Sequence, residues 1–236
     1  MPSPGGWEEK EKLMTLGEIR CLVFRQPSRW EVATDAVVHG LGIALGFAGA
    51  VTLLLVAVPQ GDWAALIAAV LYSAGLLAMW ICSSFYNLWR SCPRRDLLRC
   101  SDQAAIFAMI AGTYTPFTLM YFEGYKAVLM TLAIWVVAGL SIALRLFQPV
   151  RFERVSIGLY LALGWVGVLA LGPLLGAMAP LTLVLLAAGG VLYSAGIAFH
   201  VWDRLPFQSA IWHGFVLAAA GCHYAAVIGT MRAFAG

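Results

Sequence analysis

Charge is scarce in this sequence: Asp, Glu, Lys and Arg make up 11% of its 236 residues, against roughly a quarter in soluble domains. Hydrophobic residues make up 61%. Such a chain cannot turn a charged surface to water on every side, so an ordinary soluble domain is excluded and the bilayer is the main solvent. The formal charge of +3 comes from Lys and Arg placed beside apolar spans. It reads as a topology signal and not as a nucleic-acid surface.

Two other features are missing. The five cysteines, Cys21, Cys82, Cys92, Cys100 and Cys222, include no C-x-x-C pair. Most fall in membrane or predicted cytoplasmic segments where thiols stay reduced, so no disulfide framework is expected. The first 33 residues also lack the apolar stretch of roughly 7–15 residues found in a cleaved secretion signal. They carry Glu8, Glu9, Lys10, Glu11 and Lys12 instead, and are expected to remain on the chain in the cytosol.

What is abundant is apolar text. Broken at its charge, Pro and Gly punctuation, it gives seven segments, 34–57, 64–86, 103–122, 127–146, 156–176, 181–201 and 208–231. Each is about long enough to cross a bilayer as a helix of roughly 20 residues. The expectation is an all-α, seven-transmembrane bundle over 34–232 behind a cytoplasmic segment 1–33, with no room for a separate soluble domain.

Alternating the loops places 13 of the 15 Lys and Arg on one side. Positive loops stay in the cytoplasm, so the N-terminus is expected inside and the C-terminus outside. This placement fits a cytoplasmic membrane, the inner membrane of a bacterium. Gly42 with Gly46, and Gly158 with Ala162, supply small residues four apart that suit close helix packing. Trp63, Trp89, Trp202 and Tyr125 fall at span ends, where amphipathic rings anchor.

Ionisable residues within the membrane are costly and should face the bundle interior or a wet cavity. Glu31, Asp35 and His39 recur at i, i+4 and i+8 and line one face of the first helix. They read as a solvated first turn, with Asp35 a charge on the helix dipole and only His39 well inside the span. Asp102 has two readings, a cap of the third helix paired with Arg99 or a functional carboxylate. His39, Asn87, Asp102, His200, Ser209 and His213 fall at one membrane depth near the cytoplasmic face. His223, ten residues beyond His213, lies about 15 Å farther along the helix. As a lone intramembrane His, it reads as a hydrogen-bonding partner of a neighbouring helix.

Thr34 to Gly42, Ser83 to Asn87, Asp102 with Ile110-Ala111-Gly112-Thr113-Tyr114-Thr115-Pro116-Phe117, and Pro206 to His213 followed by His223 resemble the hemolysin III branch of the progestin and adipoQ receptor superfamily. The resemblance runs from about residue 30 to residue 231. It implies seven helices with the N-terminus inside and a zinc ion near the cytoplasmic face. It also implies three His ligands, one from S-x-x-x-H on the second helix and two from H-x-x-x-H on the seventh, and a metal-bound water beside an Asp on the third. Three His with an open position is the geometry of a catalytic zinc, and ceramidase-like hydrolysis of lipid amides is the activity implied.

Carried onto this chain, the first pattern places Asn87 at its ligand position and the second places Ser209 before His213. Only His213 of the three ligands is kept, while Asp102, Ser83, His39 and His223 match. By resemblance Asp102 and Ser83 are the catalytic candidates. Neutral Asn and Ser oxygens substitute poorly for imidazole at zinc, so a conventional site binds it weakly. His200 and His39 are the candidate substitutes in a rearranged site with His213 and Asp102.

Three functions follow. The first expectation is a membrane protein of lipid homeostasis with a degenerate zinc site, taking a lipid acyl chain in its bundle cavity. The others are a zinc-dependent lipid amide hydrolase and, from the family name, a pore-forming cytolysin.

Overall fold

The structure, a computed structural model, describes residues 27–89, 92–170, 176–202 and 204–235. Among them are seven α-helices and no strand. They are α1 (Arg29–Ala57), α2 (Trp63–Leu88), α3 (Cys92–Tyr121), α4 (Gly124–Phe147), α5 (Pro149–Ala170), α6 (Pro180–His200) and α7 (Gln208–Ala233). Six are long and apolar enough to cross a bilayer. In α5 the apolar stretch among the described residues is Val155–Val166. The expected span ran to 176, and its residues 171–175 lie outside the described residues.

Local chemistry sets the helix ends. Helix α1 begins at Arg29, ahead of the expected 34, because Ser28 and Glu31 form a capping box: the Ser28 hydroxyl accepts from the Glu31 amide and the Glu31 carboxylate from the Ser28 amide. A 3-10 turn, Val58–Gln60, and Gly61 at φ 66° close that helix. Asp62 then caps α2 by accepting from the amides of Ala64 and Ala65. Arg145 is 1% exposed in the last turn of α4, the end of a helix where a cation is favoured.

Helices α1, α2, α3 and α7 form the centre, α4 and α5 pack on α3, and α6 packs on α7. The core between them holds Leu53, Tyr72, Trp80, Phe117, Val216 and Val227. Leu45 and Leu55 on α1 and Leu181 and Val184 on α6 face outward, the lipid-facing pattern of a bundle.

Of the two small-residue pairs, one is a helix contact. A Cβ on Gly42 would overlap the Trp80 indole, and one on Gly46 would meet Leu77 at 3.2 Å. Gly158 has nothing within 4 Å and Ala162 is exposed, so this pair is not a bundle contact: it faces outward. A close backbone approach lies elsewhere. A Cβ on Gly112 would stand 2.9 Å from the Leu71 carbonyl, and one on Gly75 3.0 Å from that of Ala108, so these two glycines let α2 and α3 pack backbone to backbone.

Candidate functional site

The first turns of α1 are not solvated. Glu31, Asp35 and His39 are 8%, 5% and 1% exposed, because the loop before α7 and α7 itself cover that face. The Glu31 carboxylate accepts the backbone N–H of Phe207 at 2.9 Å. Phe207 sits in the left-handed region at φ 57°, a conformation that costs a non-glycine residue energy and is held by its surroundings. Gln208 also donates from its side-chain amide to the His200 carbonyl, tying the end of α6 to the start of α7.

One turn deeper, four helices converge. His39 donates from Nδ1 to the Asp35 backbone carbonyl at 2.8 Å. A carbonyl can only accept, so Nδ1 carries the proton and in the neutral ring Nε2 of His39 carries a lone pair. His213 donates from Nδ1 to Asp35 Oδ1, also at 2.8 Å, and in the neutral ring its Nε2 likewise carries a lone pair. Both Nε2 atoms face the Ser83 hydroxyl, at 3.2 Å from His39 and 3.1 Å from His213. Ser83 has one proton for two imidazoles and the Asp102 carboxylate. Asn87 donates to the Ser83 carbonyl at 2.9 Å and to Oγ at 3.3 Å, and the Asp102 carboxylate pairs with the same hydroxyl from α3.

The three positions at which the family pattern places zinc ligands come together. Ser209 Oγ is 3.4 Å from Asn87 Oδ1 and 3.4 Å from His213 Nδ1, and it donates to Asp35 Oδ2 at 3.0 Å. Two of those positions are occupied by neutral oxygen donors engaged in hydrogen bonds, so the three-His arrangement is not formed. His200 is exposed and stands against the Trp212 ring, centroids 5.0 Å apart. His39 lies inside the cluster, its ring 4.3 Å from that of His213.

Among the described residues, Asp35, His39 and His213 can each offer one ligand atom within 4.8 Å of the others. Two imidazoles and a carboxylate are suitable zinc donors in type, so a metal ion could be held there by these three side chains. Entry of an ion between Asp35 and His213 would replace the hydrogen bond that now joins them. Asp35 is the residue that sequence reasoning undervalued. Its signal was the Asp-x-x-x-His spacing, which puts carboxylate and imidazole on one helix face.

Beside the cluster runs a cavity of about 330 Å³ walled mostly by apolar side chains of α2, α3, α5, α6 and α7, within the usual size range of small-molecule sites. Ser83, Asp102 and His213 line one end and His223 the other. Ten residues of α7 separate the two His, so the cavity extends about 15 Å along the bundle. His223 bonds the Leu186 carbonyl at 3.3 Å, the expected link to a neighbouring helix, and occupies space that only glycine at position 189 leaves open.

A polytopic helical bundle with buried polar residues at one end of an apolar cavity is a membrane protein built around an internal site. The chain belongs to the haemolysin-III related family, whose pattern matches residues 33–224. It is 31% identical over 198 residues to a hemolysin-3 homolog of Bacillus subtilis (strain 168), covering 84% of this chain and 93% of that protein. Hemolysin-3 of Bacillus cereus is 32% identical over 198 residues, 84% of this chain and 90% of that one. The human monocyte to macrophage differentiation factor is 30% identical over 209 residues, 86% and 85% respectively.

Proposed function

We propose that this protein acts in membrane lipid homeostasis by taking a lipid acyl chain into its interior cavity, with the lipid's polar end held at the Ser83, Asp102 and His213 end. The carrying observation is continuity: an apolar cavity about 15 Å long reaches the polar cluster without an intervening wall residue, since Ser83 and His213 themselves line it. Purification in mild detergent followed by lipid extraction tests this. A defined acyl lipid should copurify and be lost when Gly190 is replaced by Leu, which fills the cavity beside Trp165. Equal lipid content in the two proteins would oppose the reading.

The charge pattern supports a cytoplasmic N-terminus, an outside C-terminus and residence in a bacterial cytoplasmic membrane. Reporter fusions at the C-terminus should be active only as an enzyme that folds outside the cell. A second reading, metal-dependent hydrolysis of a lipid amide, is favoured by one observation, the Asp35, His39 and His213 group. In that reading the three side chains would hold the ion, which would supply an activated water, and Asp102, at the same end of the cavity, would orient it.

A further inference from the structure

The order of contacts through the cluster has a chemical meaning. Asp35 Oδ1 accepts from Nδ1 of His213 at 2.8 Å, and Nε2 of His213 stands 3.1 Å from Ser83 Oγ. Carboxylate, imidazole and hydroxyl are thus connected in the sequence that activates a serine for acyl transfer, recognised by geometry on unrelated folds. The layering agrees with it. Ser83 and His213 line the cavity, while Asp35 stands behind the ring at 5% exposure. His39 meets the same hydroxyl, but its Nδ1 donates to the Asp35 backbone carbonyl at 2.8 Å and stands 3.6 Å from Asp35 Oδ1, against the 2.8 Å hydrogen bond that Oδ1 makes with His213.

We propose that Ser83 is a nucleophile for the acyl carbonyl of a membrane lipid ester or amide, with His213 as its general base and Asp35 as the positioning residue behind it. The proposal rests on the acyl-chain reading of the cavity for its substrate class, and on the cluster alone for its chemistry. Ser83 Oγ bonds to the acyl carbon, its proton passes to Nε2 of His213, and that proton goes to the leaving alcohol or amine as the C–O or C–N bond breaks. Water then attacks the Ser83 ester, gives a proton to the same Nε2 and releases the fatty acid, and the proton returns to Ser83. No electrons are gained or lost. Asn87 Nδ2, 3.3 Å from Ser83 Oγ, is a hydrogen-bond donor on the nucleophile's oxygen. A position that the family pattern gives to a metal ligand has become a donor.

The test uses the full chain in nanodiscs and two fluorophosphonates, one with a long alkyl chain and one with small alkoxy groups, read by peptide mass spectrometry. We expect Ser83 to be modified in the presence of EDTA and no adduct in Ser83→Ala. Asp35→Asn keeps the shape but disturbs the His213 tautomer, and should slow the maximal labelling rate about 10³–10⁴-fold without changing the concentration for half-maximal rate or the helical circular dichroism. Labelling by the small probe alone upholds the nucleophile and counts against an acyl chain in the cavity. No adduct at Ser83 in folded protein, an adduct abolished by EDTA, or an unchanged rate in Asp35→Asn would overturn the proposal and leave lipid copurification unaffected.

Discussion

Ser83 Oγ and His213 Nε2 lie 3.1 Å apart although 130 residues separate them in the chain. The first is near the end of α2 and the second near the start of α7, and both helices must be seated against α1 for the contact to exist. His39 from α1 completes it by meeting Ser83 at 3.2 Å and stacking edge-on against His213. The hydrogen bonds of the candidate site therefore also help to tie these helices together.

The convergence of positions 87, 209 and 213 predicts that the metal site can be rebuilt. Asn87→His with Ser209→His should give purified protein about one tightly held zinc per chain, completing the three-His set. The parent should hold clearly less by elemental analysis. Failure of the folded double variant to gain zinc would mean that the three positions do not share one ligand sphere.

How much of this could be read in the sequence varied with the physics of each feature. Hydropathy located the helices because a bilayer span must be long and apolar, and helix ends escaped where caps decide them, as at Ser28. The family pattern brought Asn87, Ser209 and His213 together before any coordinates. Asp35 was hidden because a carboxylate one turn into a helix reads as a dipole charge, and only the approach of α7 shows that it is buried. Gly158 and Ala162 have the right spacing for packing, but spacing alone does not say which face meets a neighbour.

Glu31 joins two chain segments, capping α1 and holding the Phe207 amide. Glu31→Ala removes one side of the capping box and leaves that amide without its acceptor, a loss of about 1–3 kcal/mol. Thermal unfolding in detergent should shift downward. Hydrogen exchange should rise first in the loop before α7, and an unchanged exchange pattern there would refute the latch.

Trp80 lies edge-on to His39 with ring centroids 5.8 Å apart, and it occupies the space that Gly42 leaves open. Gly42→Ala forces that indole to move, at a cost of about 1–3 kcal/mol for overpacking. The variant should melt lower than the parent. Gly158→Ala, at an open position, should melt within about 0.5 kcal/mol of it.

The central claim, that the interior cavity receives a lipid acyl chain, is tested most directly by photo-crosslinking with a fatty acid carrying a diazirine along its chain, followed by mapping of the adducts. The account predicts adducts on cavity-lining residues such as Ile110, Leu186 and Tyr193, reduced in Gly190→Leu. Adducts confined to outward-facing residues such as Leu45, Leu55 and Val184, with none inside, would contradict it.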